Sequence, residues 1–332
     1  MAEGEPPGAS RLRMVLSAAH SLKAVLGQQN ASPDIPALRS EVDRAWSLTH
    51  QGNYADLAEL LEGLVPQLES ATRSVPEVER PELFRLLAVM YHTCSGALAN
   101  MGEPEAAWIA VDRAVVAAER ANDPLLMAAG EFRLSLVFLG ARHFEQAAQV
   151  SGSAADALGP LAESGQIEAV ALRGALTLQR AVAAARLNLA DEAYGYLGEA
   201  REMAERVGDG RNDYNTEFGP TNVGLHEVAV AVDLGDAGVA LRAAQGVDET
   251  GLSAERQTRF QIDVARAYAQ RRQVADAVSA LLRARQLSPE MVRALPMVKQ
   301  LAADLLTMAQ PPSEELRTLA AELGVHEVRT GT

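Results

Sequence analysis

The sequence repeats one short pattern six times: a tight polar turn, then an aromatic or small residue, and then a small apolar residue. The turns are Gln51-Gly52-Asn53, Met101-Gly102-Glu103, Ala141-Arg142-His143, Asn188-Leu189, Leu234-Gly235-Asp236 and Arg271-Arg272-Gln273. Residues 57, 107, 147, 193, 240 and 277 close the pattern, so successive copies lie 37 to 50 residues apart. A helical hairpin that recurs at this length predicts an all-α fold, an α-solenoid of stacked hairpins rather than one globular core.

Apolar periodicity between these turns predicts where the helices lie. A first helix over residues 11–27 ends at Gly27, because glycine favours helix C-termini, and residues 28–36 form a linker. The six hairpins are predicted over residues 37–50 with 54–71, 81–100 with 104–121, 125–139 with 144–158, 167–187 with 190–207, 221–234 with 237–246, and 253–271 with 274–287. Capping helices are predicted within residues 290–323, over 290–308 and 313–323. Residues 1–10 are predicted to be a disordered tail, and residues 11–332 one domain.

Composition limits the functions that this chain can have. The 332 residues include 30 basic and 44 acidic side chains, a net charge of −14. Such a chain repels phosphate backbones, so we expect it not to bind nucleic acid by itself. No apolar run is long enough to cross a membrane and no export signal opens the chain, which predicts a bacterial cytoplasmic protein without membrane contact. The single cysteine, Cys94, is expected to be a buried, inert thiol.

The sequence contains no pattern typical of catalysis. It has no Gly-rich phosphate-binding loop, no Cys/His metal spacing and no nucleophile elbow. His226-Glu227 lacks the second histidine of a zinc helix, and the oxygen-rich residues around Asp213 lack the spacing of a calcium loop. We therefore expect no enzymatic activity, no catalytic residues, no metal and no cofactor.

The recurring hairpin resembles the tetratricopeptide repeat (TPR). That family places Gly, an aromatic and a small residue across the turn, followed by alternating large and small apolar positions. The residues that match are Gly52, Tyr54, Leu57, Leu61, Leu64, Ala193, Leu197, Ala200, Ala277, Leu281, Ala284 and Pro289. The copies here exceed the usual 34 residues and most lack the aromatic. The resemblance implies a right-handed α-solenoid of about six divergent hairpins, with the first helix of each hairpin lining the concave face.

A second resemblance covers most of the chain. Residues 212–230 and 262–270 are similar to the C-terminal sensor region of actinobacterial Xre-type helix-turn-helix transcription regulators. This implies a regulatory module that senses a short peptide or a small signal. The sequence lacks the Gln-containing helix-turn-helix signature, so we expect DNA to be contacted only through an N-terminal domain that this chain does not carry.

The long connection between residues 207 and 220 interrupts the solenoid rhythm and is expected to contribute to ligand binding. Asn222 and His226 are four residues apart and share one helix face. Asn can pair with both polar groups of a peptide backbone. The alternative is that Asn215, Thr216 and Asn222 only cap the helix and its entry loop. The candidates from this region are Tyr214, Asn215, Glu217, Phe218, Asn222 and His226.

Arginines at helical spacing form the other candidate ligand contacts. Arg173 and Arg180 lie two turns apart, and a second stripe joins Arg259, Asp263 and Arg266. Such stripes suit a ligand carboxylate; alternatively, they form an ion-pair network that braces neighbouring hairpins. Phe132 and Arg133 are expected to form one wall of the groove, with Trp46 and His92 as further candidates.

Two functions follow from these patterns. The first is a ligand-sensing module of a transcription regulator that binds a short peptide or small molecule in the concave groove. The alternative is a stand-alone scaffold that grips a protein partner without a small ligand. Solenoid ends must cover their apolar faces, so the capping helices also offer a homodimer contact.

Overall fold

A computed structural model describes residues 8–17, 33–309 and 311–325. These residues are α-helical apart from turns and one short 3₁₀ helix (Asp213–Asn215), and they contain no β-strand. The first helices are α1 (Ala9–Val15), α2 (Ile35–His50), α3 (Tyr54–Ser74), α4 (Arg80–Asn100), α5 (Pro104–Arg120), α6 (Pro124–Gly140), α7 (Phe144–Ala157), α8 (Gly159–Glu163) and α9 (Ile167–Arg186). They are followed by α10 (Ala190–Val207), α11 (Pro220–Asp233), α12 (Ala237–Ala244), α13 (Ala254–Gln270), α14 (Val274–Leu287), α15 (Pro289–Ala294), α16 (Pro296–Met308) and α17 (Glu314–Glu322).

All six turns predicted from the sequence connect two helices, and all six share one backbone conformation. The residue after the helix is left-handed, with φ 69° at Gly52 and 83° at Gly235, and non-glycine residues take this position in three turns. The next amide bonds back across the helix end, as from Asn53 N to Leu48 O at 3.0 Å and from Asp236 N to Ala231 O at 2.8 Å. This is the Schellman C-cap, which reverses the chain within three residues. It explains why each pair of helices folds back as a hairpin.

Two of the left-handed turn positions carry arginine, at φ 65° in Arg142 and 59° in Arg272. A Cβ disfavours this conformation, so Arg142→Gly and Arg272→Gly are each expected to raise the free energy of unfolding by about 0.5–1 kcal/mol. Urea denaturation measures the change. Gly235→Ala is the matched opposite, because its Cβ would meet open space, and it should lower stability by about 1 kcal/mol. Unchanged stability in all three variants would contradict the left-handed conformation of these turn residues.

The second helix of each hairpin packs through a stripe of small apolar residues. In α10 the stripe is Ala193, Leu197, Ala200 and Ala204, all buried, while the opposite face is exposed. The spacing of three and four residues places the stripe on one side of the helix. This side packs on α9, which is buried along almost its whole length. Alanine keeps the two helices close together.

The two ends of the array meet. Helix α2 contacts α13, and the amide of Tyr54 donates to the Glu290 carboxylate at 3.0 Å. Asn100 Nδ2 donates to Tyr54 Oη at 2.8 Å and to Glu255 Oε1 at 2.9 Å. One apolar cluster contains buried side chains from α1 to α6 and from α11 to α17. The helical array therefore closes on itself through contacts between its two ends.

The helices differ from the predicted ones mainly at the two ends. The first helix begins at Ala9, which is fully buried, so the predicted tail over residues 1–10 extends too far. The rest of that tail, and most of the helix and linker predicted over residues 11–36, lie outside the described residues. The helix predicted over 290–308 is broken at Leu295, because Pro296 begins a new helix.

Two predictions from composition concern the helices directly. Cys94 is fully buried in α4, and burial raises the pKa of its thiol to about 12. A thiol with such a pKa stays protonated and unreactive. Among the helices that the structure describes, none combines the length and the apolar character that a membrane-crossing helix needs.

Candidate functional site

The inner side of the array is lined by first helices of the hairpins and contacts residues 209–219, here called the inner segment, of which Thr216, Phe218 and Gly219 are buried. Groups of this segment contact α2, α6, α9, α11 and α13. The predicted concave groove is therefore occupied by the chain itself. Four predicted ligand contacts, Tyr214, Asn215, Glu217 and Phe218, belong to this occupant rather than to the surrounding wall.

Arg133 of α6, one of the two residues predicted to form a wall of the groove, contacts the inner segment. Its side chain is buried and donates to the carbonyl oxygens of Tyr214 at 3.2 Å and Asn215 at 2.8 Å. The guanidinium carbon lies 5.0 Å from the ring centres of both Trp46 and Phe132. Arg133 forms no ion pair with any residue that the structure describes. Burial lowers the pKa of this guanidinium to about 10, and it still carries its charge at neutral pH.

The Glu217 carboxylate is held at the N-terminus of α13. Its two oxygens accept from the Ser253 hydroxyl at 2.8 Å and the Ser253 amide at 3.1 Å. Arg256 Nε and His50 Nε2 each lie 3.9 Å from Glu217 Oε1. The helix dipole and the arginine both favour a negative charge at this position. We call Ser253, Arg256 and His50 the carboxylate seat.

Asn222 and His226, two further residues predicted to contact a ligand, lie on α11 beside the inner segment. Asn222 Nδ2 donates to the Thr216 carbonyl at 3.3 Å, and Arg256 donates to the same oxygen at 2.8 Å. His226 Nδ1 lies 2.9 Å from the Asn222 carbonyl oxygen, and burial lowers the pKa of the imidazole to about 4. His226 is thus a neutral hydrogen-bonding group at pH 7.

Thr216 and Asn222 hold the entry loop of α11 through their hydrogen bonds, and neither of them caps the helix itself. The Asp209 carboxylate caps α11, because it accepts from the Thr221 amide at 3.1 Å and the Thr221 hydroxyl at 3.0 Å. Asn222 and Thr216 instead bond to each other, which fixes the inner segment against α11.

The residues of the stripe on α13 lie in two different parts of the structure. Arg259 reaches the seam between the two ends, where it bonds to Asn100 and lies 3.8 Å from Glu255. Arg266 instead pairs with Asp263 at 2.9 Å and with Asp233 at 2.6 Å. Asp263 and Arg266 thus belong to an ion-pair network that braces hairpins, the alternative considered from the sequence.

The other stripe also lies apart from the inner segment. Arg180 donates to Tyr196 Oη at 2.9 Å and stacks 4.2 Å from that ring, beside Gly152. Its partners are on second helices, α7 and α10, so Arg180 does not face the interior. Arg173 is half-buried on α9.

Several interior residues were missed by the sequence analysis. They are His50, Asn100, Ser253, Glu255 and Arg256. Each occurs near a helix end, where a polar residue is common for capping alone. Only the closure of the array brings these helix ends together, and the sequence carries no local signal for that closure.

His92 of α4 gives the site a measurable pH dependence. It is 2% exposed, and burial, with a smaller effect of Arg133, lowers the pKa of its imidazole to about 3. The unfolded chain binds this proton below pH 6.5 while the folded chain does not, so stability falls as the pH drops from 6.5 towards 3. Between pH 7 and 4.5 the loss from His92 is expected to be about 2 kcal/mol.

Urea denaturation of wild type and His92→Gln at the two pH values measures this loss. Wild type should lose about 2 kcal/mol more than the variant. The exposed His143 supplies the control, because His143→Gln should follow wild type. Equal pH dependence in wild type and His92→Gln would show that His92 is not buried in a neutral form.

Among the described residues, no group of three or more His, Cys, Asp and Glu side chains is arranged to hold a metal ion. The polar groups at this site are those of arginine, amide, imidazole and carboxylate side chains. A comparison with models of known protein families gave no match, and a comparison with curated protein sequences gave none.

Proposed function

We propose that this chain is a ligand-sensing module of a bacterial transcriptional regulator, a right-handed TPR-like solenoid whose inner side binds a short peptide or small signal. One observation carries the proposal: Arg133, Arg256 and Asn222 all donate to main-chain carbonyl groups of the inner segment. Such contacts recognise a peptide backbone whatever its side chains are. These contacts to the chain's own backbone support the proposal that the inner side binds peptide.

A bound ligand would act on the rest of the protein through the seam. The inner segment touches α2 through His50 and α13 through Ser253, and these two helices meet where the array closes. A ligand that replaces the segment changes the contacts on both sides of the seam. It would shift the balance between closed and open arrays to the extent that it binds them with different affinity. An attached DNA-binding domain would respond to that shift.

The test is affinity selection from a pool of synthetic peptides of four to eight residues, with retained peptides identified by mass spectrometry. The matched variants are Arg133→Leu, which removes the carbonyl contacts, and Arg142→Leu, which changes an exposed turn arginine. We expect wild type and Arg142→Leu to retain the same peptides and Arg133→Leu to lose them. Retention of no peptide by wild type, or equal retention by Arg133→Leu, would refute the proposal.

One observation favours the alternative, a scaffold for a protein partner. Trp108 and Ile109 of α5 are 52% and 50% exposed, and large apolar side chains at such exposure often contact partners. Binding to a partner through this face would depend on Trp108 and not on Arg133. The affinity of a partner protein, measured for the Trp108→Ser and Arg133→Leu variants, therefore distinguishes the two functions. A loss only in Trp108→Ser favours the scaffold.

A further inference from the structure

Several buried polar side-chain atoms lack a hydrogen-bond partner among the described residues. Four buried polar atoms make no hydrogen bond to any described residue: Trp46 Nε1, His92 Nε2, Arg133 Nε and Asn222 Oδ1. Each belongs to a residue that is more than nine-tenths buried, and each is on a different helix. An unpaired buried polar group costs about 1–3 kcal/mol. An occupant that pairs one of them would recover that cost, which the segment does not.

The segment also adopts an unfavourable backbone. Tyr214, Asn215 and Glu217 are all left-handed, with φ 52°, 56° and 49°. This conformation costs about 1 kcal/mol for a residue with a Cβ, and only Asn tolerates it readily. Three such residues within four positions lower the free energy needed to displace the segment.

The charges around the seat favour a carboxylate. Arg133, Arg256 and Arg259 bring three guanidinium groups to this interior, and Glu217, Glu255 and Glu290 bring three carboxylates. Removal of Glu217 would therefore leave one positive charge in excess, although the whole chain has a net charge of −14. Glu217 completes the seat by offering its oxygens to Ser253 beside Arg256. Without Glu217, the guanidinium groups would keep Glu255 as a partner but lose the carboxylate at Ser253.

We propose that the seat binds the carboxylate of an acidic ligand, and that residues 212–217 are an internal competitor which this ligand displaces. Phe218 stays over Gly174 and Asp209 stays bonded to Thr221, so residues 212–217 would open as a loop that is held at both ends. This proposal rests on the proposed function and names its ligand class: a short peptide with an acidic side chain or a free carboxyl terminus. The internal Glu217 sets the affinity, because a ligand must outcompete it.

The experiment removes the internal carboxylate and supplies an external one. The variants are Glu217→Ala, Glu217→Gln as a milder change that preserves the hydrogen-bonding shape, and Asp209→Ala as the matched control. Asp209 is in the same segment but caps α11 and has no arginine ion pair. The probes are sodium acetate against sodium chloride at equal ionic strength, and the peptide N-acetyl-Tyr-Asn-Thr-Glu-amide against its Gln counterpart. Thermal unfolding and calorimetry give the readouts.

We expect acetate to raise the melting temperature of Glu217→Ala by several degrees beyond chloride, and to have no such effect on Asp209→Ala. The acidic peptide should bind Glu217→Ala and Glu217→Gln about tenfold more tightly than wild type, and the Gln peptide should not show this gain. Identical responses of the Glu217 variants and Asp209→Ala would overturn the proposal. If pooled peptides still bind wild type through Arg133, the proposed function survives that failure; if they do not, both fail.

Discussion

Replacing Phe218 with alanine is expected to lower the free energy of unfolding by about 3–5 kcal/mol, the cost of truncating a fully buried phenylalanine. The Phe218 side chain is 2% exposed and lies directly over Gly174 of α9. Because Phe218 ends the inner segment, the truncation removes the anchor that fixes the segment in the interior. Urea denaturation gives the loss of stability, and circular dichroism shows whether the helices persist.

Gly174 supplies a direct test of this anchor. A Cβ on Gly174 would overlap the Phe218 ring, so Gly174→Ala is expected to cost about 1–3 kcal/mol although alanine favours helices. In the Phe218→Ala background the same change should cost little, because the space is then free. The double-mutant cycle should yield a coupling of about 1–3 kcal/mol.

The control for the cycle is Gly195→Ala, an exposed helical glycine whose Cβ would meet open space. It should be neutral or slightly stabilising, by about 0.5–1 kcal/mol, with Phe218 or without it. If the losses of stability in Gly174→Ala and Phe218→Ala add up in the double variant, the Phe218 ring does not contact Gly174.

Asp233→Ala is expected to cost about 3–5 kcal/mol, because it leaves two arginines without their shared carboxylate in a buried position. The Asp233 side chain is 5% exposed and accepts from Arg186 Nε at 2.9 Å and Arg266 at 2.6 Å. It thereby joins α9, α11 and α13. Although burial alone lowers the pKa of Arg266, the Asp263 and Asp233 carboxylates raise it well above its ordinary value.

The matched control is Asp236→Ala, three residues further on. The Asp236 carboxylate is exposed and accepts only a 3.4 Å bond from Tyr194 Oη among the described contacts, so its removal should change stability by no more than about 0.5 kcal/mol. Chemical denaturation of the two variants compares them. If Asp233→Ala lowers the free energy of unfolding no more than Asp236→Ala does, the ion-pair network does not brace the hairpins.

The helices could be predicted from the sequence because their signals are local. Residues 190–207 and 274–287 are helices with the predicted bounds, and most other bounds differ by one to three residues. The turns could be predicted because a left-handed residue after a helix end leaves a compositional trace, as at Gly52 and Gly235. Arg142 and Arg272 fill the same position, and there the apolar periodicity on both sides had to indicate the turn.

Closure of the array could not be predicted, because it depends on small rotations summed over six hairpins. Asn100 and Glu255 bond across 155 positions of the chain, and no local pattern relates them. The inner segment shows the same limit. Its polar composition predicted an irregular connection with a role in binding, but only the closed array shows that it lies inside, with Glu217 in a seat made by α2 and α13.

Hydrogen exchange of the unliganded protein tests whether the inner segment is a replaceable occupant of a binding site. The amides of Asn215, Thr216 and Glu217 are hydrogen-bonded within the segment and can be compared with amides of α9 and α11. If it is, we expect the segment amides to exchange through local opening. The free energy of that opening should be clearly below that of global unfolding and should depend little on denaturant. Exchange of these amides only upon global unfolding would make the segment a permanent part of the core and contradict the account.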